Sequence, residues 1–471
     1  IAKERATVEK ITTLRFLGTP PYKYNPANYR NTNRRIRIGY VSADFRLKAT
    51  SYLLRYFFLH HDPNLFEVYL FSVQPDSEDA LKFEIGADWR KDISESVEHF
   101  VDLSQVDPVS RIAFIHDLYK IDILVNMDGY SNNGLRDDNV FQVQSAPIQM
   151  SMLVYIGTMG ADYIQYIVTD PIASPIEYEK FYSENFLHMP QSFFVNSHAQ
   201  FPELNHPQYK IPTYYNKSAP GRKNDPTFFR FCNFNKHLKL SPNLFDLWIY
   251  IFETLIKEHG VSVSLIMLEY PKASIRNIAH YISSQNIPEL LEGRYFDIRF
   301  LPFIANPYRH QARIPEYCDI VLDNAIYNSH TMAVDTLWGG VPMVTFADGV
   351  DMGGRVGFSI LSELGLEELA GKDEKEYADI AIRLATDLEY YQKIQTRIVS
   401  STRPECLNRF WDTKKYVKNF EKGLLAIWNN FVQGNEPRHI IVEDEYEDIE
   451  TCEAGINDYD EADGYYYDDD E

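Results

Sequence analysis

At 471 residues, with 45% apolar and 14% aromatic side chains, the chain is long enough for two or three domains with sizeable cores, so it reads as globular. Its formal charge of -22 is concentrated at one end: Glu443 to Glu471 hold fifteen Asp and Glu with no Lys or Arg, and the mildly acidic remainder lacks the basic footprint of a nucleic-acid binder. No apolar run approaches the ~20 residues of a membrane span, and the opening IAKERATVEK has no signal-peptide core.

Residues 1–33 read as one amphipathic helix followed by the irregular GTPPYKYNPANYRNTN, where Pro20 and Pro21 stop any helix. A first domain over 34–200 opens with the strand RIRIGYVS, the helix TSYLLRYFFLHH and the strand FEVYLFSV, which is apolar on both faces. The alternation continues through HFVDLS, the helix PVSRIAFIHDLYK, the strand IDILVNMDGY, and then APIQMSMLVYIG and DYIQYIVTD. Strands and helices in that order predict a parallel sheet covered on both faces. Residues 201–226 are polar and Pro-rich and read as a linker.

The same grammar restarts over 227–437: TFFRFCNF, the helix SPNLFDLWIYIFETLIKE, VSLIMLEY, YFDIRFLPF, YCDIVLDN and VPMVTF. Two long helical stretches, EKEYADIAIRLATDLEYYQKIQTRI and TKKYVKNFEKGLLAIWNNFVQ, close it. Residues 438–471 have too little aliphatic surface to offset ordering entropy and read as a disordered acidic tail. The four cysteines, Cys232, Cys318, Cys406 and Cys452, show no CxxC spacing, which argues against a disulfide framework or structural zinc and favours a reducing compartment.

Tandem doubly wound halves predict a shared cleft at the carboxyl ends of both sheets. In NSHTMAVDTLW, Asn328 or Ser329 reads as the cap of a short helix. Its start offers free N–H groups to a diphosphate, His330 and Thr331 add side-chain donors, and Asp335 shares the face of Thr331 and suits ribose hydroxyls. An isolated histidine at a helix start also fits plain packing. CNFNKHLKLSP crowds Asn235, Lys236 and Lys239 into a strand-to-helix connection, as a phosphate site or a solvated loop would. In the first half, SADFRLKATSY carries Lys48, and IGTMGADY supplies Gly157, Thr158 and Gly160, the glycines for close backbone approach to a ligand. His116 sits in AFIHDLYK on a helix, where a lone histidine is more often structural than functional.

Taken in order, PPYKY, RIRIGYVSADF, IDILVNMDGY, SAPIQ, IGTMGADY, CNFNKHLKLSP and NSHTMAVDTLWGGVPMVT resemble the catalytic region of the protein O-GlcNAc transferases, from about Pro20 to Arg438. The resemblance implies an α/β GT-B fold, two doubly wound Rossmann-like domains facing a central cleft. It also implies inverting, metal-independent transfer of GlcNAc from UDP-GlcNAc to Ser or Thr hydroxyls of nuclear and cytoplasmic proteins, with no cofactor, nucleic-acid or membrane partner. Lys239 falls on the family's diphosphate lysine, His330 and Thr331 on its helix-start residues, and Asp335 on its ribose aspartate. His310 aligns with a nucleotide-contacting histidine ahead of a one-residue insertion. His116 matches a histidine discussed as an acceptor-side base. Asn235, Lys236, Gly157 and Thr158 complete the implied nucleotide-sugar site.

Departures from the family pattern are Lys48 for a histidine, Arg46 for a glycine, Met332 for a threonine and Lys236 for a glutamine. The tetratricopeptide array is represented at most by the helix Ile1 to Leu17. Two other readings remain open: a SPINDLY-type protein O-fucosyltransferase using GDP-fucose, and a non-catalytic scaffold that binds a nucleotide-sugar or peptide. His330 and Asp335 favour the UDP-GlcNAc reading over the first, because the SPINDLY segment runs through threonines there.

Overall fold

Strands made of near-continuous apolar residues must be covered on both faces. The computed structural model, which describes residues 2–18, 20–30, 34–76, 89–131, 140–201, 228–285 and 295–444, has that arrangement twice. The first sheet contains β1 (Ile36–Ser42), β2 (Phe66–Ser72), β3 (His99–Asp102), β4 (Ile123–Asn126), β5 (Ile148–Ser151), β6 (Tyr166–Thr169) and β7 (Asn185–His188). The helix α1 (Ala2–Leu17) precedes it, and α2 (Ala49–Leu54), α3 (Trp89–Glu95) and α4 (Pro108–Ala113) lie on its crossovers. The second sheet contains β8 (Phe228–Asn233), β9 (Ser262–Leu268), β10 (Phe296–Leu301), β11 (Ile320–Leu322), β12 (Met343–Phe346) and β13 (Ala370–Gly371). Its helices are α5 (Pro242–His259), α6 (Ile275–Ser284), α7 (Pro307–Tyr317), α8 (Thr331–Trp338), α9 (Val356–Glu363), α10 (Glu374–Thr386), α11 (Leu388–Ser401) and α12 (Thr413–Val432).

Every pairing is parallel, and the strand orders are β3-β2-β1-β4-β5-β6-β7 and β10-β9-β8-β11-β12-β13. The order reverses between β1 and β4 in one sheet and between β8 and β11 in the other. Crossover loops diverge at such points and open a crevice at the carboxyl ends of the strands. Local signals set the helices: Ser241 accepts from the Leu244 amide at 3.3 Å to start α5, and Gly260 ends it at φ +66. The helical stretch expected at 374–398 is made of two helices, because Asp387 ends α10 and caps α11 through the Tyr390 amide at 3.0 Å.

The chain finishes by crossing back to the first lobe. Glu421 on α12 accepts from His61 Nδ1 at 2.9 Å and from the Asp62 amide at 2.7 Å, and the Tyr40 hydroxyl meets His61 Nε2 at 2.7 Å. Residues 440–441 then form β14 (Ile440–Ile441) beside β7, with Ile440 and Val442 buried. Residues 438–444, expected to open the disordered tail, therefore belong to the folded first lobe; residues 445–471 lie outside those described, as do most of the linker and its boundary at 226.

Two further expectations change. Cys232 on β8 and Cys318 just before β11 are disulfide-bonded with Cα atoms 5.6 Å apart, although 86 residues separate them. Spacing along the chain concealed the pair because strand pairing across the switch point creates it, and the argument for a reducing compartment loses its premise. A Cβ on Gly160 (φ +64) would stand 2.4 Å from the Lys3 amide, so the close approach there is to the backbone of α1 and not to a ligand.

Candidate functional site

β8 and β11 are neighbours at the second switch point, and the turns that leave them interlock. Asn233 Nδ2 donates to the Leu322 carbonyl at 2.7 Å and to Asn324 Oδ1 at 3.0 Å. Asp323 is fully buried; its Oδ1 accepts from the amides of Asn324 (2.8 Å) and Ser329 (2.6 Å), and its Oδ2 accepts from the Thr345 hydroxyl (2.7 Å). Burial pushes this carboxyl up, and these donors oppose the rise. The carboxylate thus folds 324–330 into a fixed turn.

That turn aims the Asn328 carbonyl at Lys239, whose ammonium donates to it at 2.9 Å and to Asn235 Oδ1 at 3.0 Å. Asn235 Nδ2 donates in turn to the Ser329 hydroxyl at 2.8 Å, and the Tyr327 ring centroid lies 4.7 Å from Nζ. Among the described residues no carboxylate is within ion-pair distance of Lys239. Burial lowers its pKa to about 8; the charge of Asp323 opposes the shift and that of Lys236 adds to it. The sequence brought Lys239, Asn235 and His330 forward as separate strings, and the fold brings them together, with Thr331 next in the chain after His330.

Neither Asn328 nor Ser329 caps α8. Their side chains serve Gly354 and Asn235, the N-cap is His330, and the helix begins at Thr331. The buried His330 ring lies 4.6 Å from Tyr327 and 5.9 Å from Phe194 of the first lobe. Its Nε2 is 3.0 Å from the Gly353 carbonyl, which can only accept, so the proton sits on Nε2. Burial, and then the Lys239 charge, pushes its pKa down to about 3. The imidazole is therefore neutral and its N–H already committed, and among the described residues no hydrogen bond engages the amides of Thr331 and Met332 at the helix start. This differs from the expectation that His330 itself donates.

Asp335 lies one turn into α8, buried, with Oδ1 at 2.8 Å from Nε2 of His198 in the first lobe. No hydrogen bond engages its Oδ2 among the described residues. Next to it on α7, His310 Nδ1 accepts from Arg313 Nη2 at 2.8 Å, which leaves the N–H on Nε2 directed at Met332 Sδ, 3.0 Å away. Burial lowers the His310 pKa to about 4. A thioether is a weak acceptor, so that N–H is available to a better one.

The first lobe is more mixed. Lys48 is exposed at the N-cap of α2, after β1, and its side chain makes no capping bond. Gly157 (φ +155) faces open space apart from the Tyr155 ring, whereas the Thr158 hydroxyl is held by Glu184 Oε2 at 2.7 Å. Lys236 is exposed, 5.8 Å over the Tyr270 ring. His116 is not brought to the cluster. It sits on the π-helical turn that runs into the amino end of β4, stacked on Tyr22 at 3.6 Å and bonded to Asp117 at 2.8 Å, and a doubly wound sheet binds at the opposite end.

Sequence reasoning overlooked Tyr327, His198 and Tyr52. Tyr327 stands one residue before NSHTMAVDTLW and went unremarked; His198 is an isolated histidine whose partner lies 137 residues away, so no spacing exposes it. Among the described residues no three His, Cys, Asp or Glu side chains gather as metal ligands would, and no helix is long and apolar enough to cross a membrane.

The family model described as Glycosyl transferase family 41 matches residues 1–229 and 222–420. The chain is 31% identical to a probable UDP-N-acetylglucosamine–peptide N-acetylglucosaminyltransferase SEC of Arabidopsis thaliana, over 94% of this chain and 42% of the relative. It is 26% identical to the UDP-N-acetylglucosamine–peptide N-acetylglucosaminyltransferase of Caenorhabditis elegans, over 91% and 44%. A probable enzyme of that name labelled SPINDLY, from Oryza sativa, is 27% identical over 90% and 42%. The chain thus spans about two fifths of the length of these relatives. A point mutant of the Thermobaculum terrenum O-GlcNAc transferase has the same fold, with TM-score 0.69 and 23% identity over 90% of this chain and 74% of that one. The two lobes are accordingly of GT-B type.

Proposed function

The chain belongs to glycosyl transferase family 41, and from that premise we propose that it transfers N-acetylglucosamine from UDP-GlcNAc to Ser or Thr hydroxyls of nuclear and cytoplasmic proteins, without a metal ion. The observation that carries this reading is the half-buried Lys239 ammonium beside the start of α8, whose hydrogen bonds among the described residues go to neutral oxygens. A charge kept in such a place without a counter-ion is costly unless a ligand supplies one.

In the proposed reaction the acceptor hydroxyl attacks the anomeric carbon from the face opposite the phosphate, the C1–O bond breaks, and its electron pair goes to the β-phosphate. Charge grows on that phosphate as the bond stretches. Lys239, the Thr331 hydroxyl and the free amides at the helix start therefore stabilise the transition state more than the bound donor. Asp335 Oδ2 accepts from the ribose, and His310 Nε2–H meets the base. The hydroxyl proton leaves through a phosphate oxygen or a water chain, since His116 lies at the far end of the first sheet.

Incubation with UDP-GlcNAc and a Ser/Thr-rich acceptor peptide tests this by mass. One added HexNAc supports the reading. One added deoxyhexose from GDP-fucose, with none from UDP-GlcNAc, replaces it with the SPINDLY reading; tight UDP binding with no transfer and no donor hydrolysis replaces it with the scaffold.

A further inference from the structure

The carboxylate assigned above to the ribose is gripped from the other lobe. His198 lies on the short turn His198–Gln200 after β7, and its side chain is wholly buried, while that of Asp335 is 5% exposed. Rings of Tyr52 (5.1 Å), Phe201 (5.7 Å), Trp338 (5.9 Å) and Trp411 (6.1 Å) surround the imidazole and leave it little freedom to turn. Nε2 is 2.8 Å from Asp335 Oδ1, and the Tyr52 hydroxyl is 3.3 Å from the same nitrogen and 3.4 Å from Gln311 Oε1. His198 Nδ1 has no hydrogen-bond partner among the described residues. The ring therefore makes one side-chain bond of good length, and it spends that bond on Asp335.

We propose that His198 is a positioning residue: by holding Oδ1 it fixes the carboxylate plane so that Oδ2 presents its lone pairs to the ribose diol. Without that bond the carboxylate rotates about χ2, a soft torsion, and the diol must pay to order it. Because His198 belongs to one lobe and Asp335 to the other, the nucleotide subsite is complete only when the lobes are in register. The proposal rests on the ribose reading of Asp335.

The test measures binding of UDP and of 2′,3′-dideoxy-UDP to the full chain by calorimetry, with GDP and its dideoxy analogue in parallel so that the outcome does not depend on the base. The dideoxy nucleotides cannot bond Asp335. His198→Ala is expected to weaken the ribonucleotide by roughly tenfold or more, as loss of a ligand-orienting partner does, and to leave the dideoxy analogue unchanged. His198→Gln, which keeps an N–H near the Nε2 position, is expected to restore most of the affinity. Equal weakening of both nucleotides by His198→Ala, or no weakening of either, overturns the proposal and leaves the histidine a packing role. Asp335→Ala serves as the control: if it distinguishes the two nucleotides while His198→Ala does not, the positioning role alone fails. If Asp335→Ala does not distinguish them, the ribose reading fails and takes the proposal with it.

Discussion

Raising pH should release the nucleotide diphosphate, and the size of the effect follows from Lys239. Its pKa in the free protein is about 8, so one pH unit below that value roughly ten ammonium groups exist for each amine, and one unit above it the ratio inverts. A bound diphosphate brings negative charge against Nζ and holds the proton. Between pH 7 and pH 9 the affinity for UDP should therefore fall about tenfold, because at the higher pH the free protein must first take up a proton. UDP has lost most of its last phosphate proton below this window, and its uracil imide begins to ionise only near the top of it, so the part of the step that Lys239→Met abolishes belongs to the protein. Titration calorimetry at both pH values, in buffers of different ionisation enthalpy, reads the affinity and the proton uptake together. Lys239→Met should bind weakly and without the step. The same linkage has a stability side. The unfolded lysine titrates near 10.5, so the native state carries fewer protons between about 8 and 10.5; the burial cost, of order 3 kcal/mol, is fully present below about 8 and is relieved as pH rises toward 10.5. A flat affinity from pH 7 to pH 9, or an unchanged step in Lys239→Met, refutes the reasoning.

Kinetics should separate the two halves of the subsite: Lys239→Ala lowers kcat about a hundredfold or more, whereas Asp335→Ala mainly raises KM for the donor, and small equal effects from both would count against the assignment. Gly160→Ala should loosen α1 from the first lobe, since it combines a left-handed backbone position with a clash against Lys3; a loss above about 1 kcal/mol in urea melts and faster proteolysis near residue 18 are expected. Glu421→Ala leaves His61 Nδ1 and the Asp62 amide without their acceptor, and should cost about 2–4 kcal/mol by the same melts.

The two sheets were legible because parallel strands buried on both faces are continuous apolar runs, as in IRIGYVS and FEVYLFS, and because their alternation with helices allows few topologies. The donor side was legible for a related reason. Loops at a switch point are short, so Asn235 and Lys239, or His330 and Asp335, stay close along the chain as well as in space. What required coordinates was everything that depends on pairing distant segments: the Cys232–Cys318 bond, the return of α12 through Glu421, and the reach of His198 to Asp335. The cap of α8 failed for a subtler reason. Asn328 and Ser329 are good capping residues by type, but the fold spends their side chains on Gly354 and Asn235.

The fate of Asp323 explains why Lys239 is left for a ligand. The two groups sit close enough for each to influence the other's ionisation, and a direct ion pair would neutralise the pocket. Instead, the carboxylate oxygens take donors from Asn324, Ser329 and Thr345, and only its field reaches the lysine. That field limits how far burial depresses the ammonium, so most of it stays charged at neutral pH without being capped. A variant such as Thr345→Val, which frees one oxygen of Asp323, offers a direct check. If the freed oxygen turns to Lys239, the lysine pKa should rise and UDP binding should weaken at pH 7, so that the pH step moves upward while the maximum affinity falls. A variant that binds UDP as the parent does, with the step still near pH 8, would show that the geometry of Asp323 has no part in keeping the lysine free.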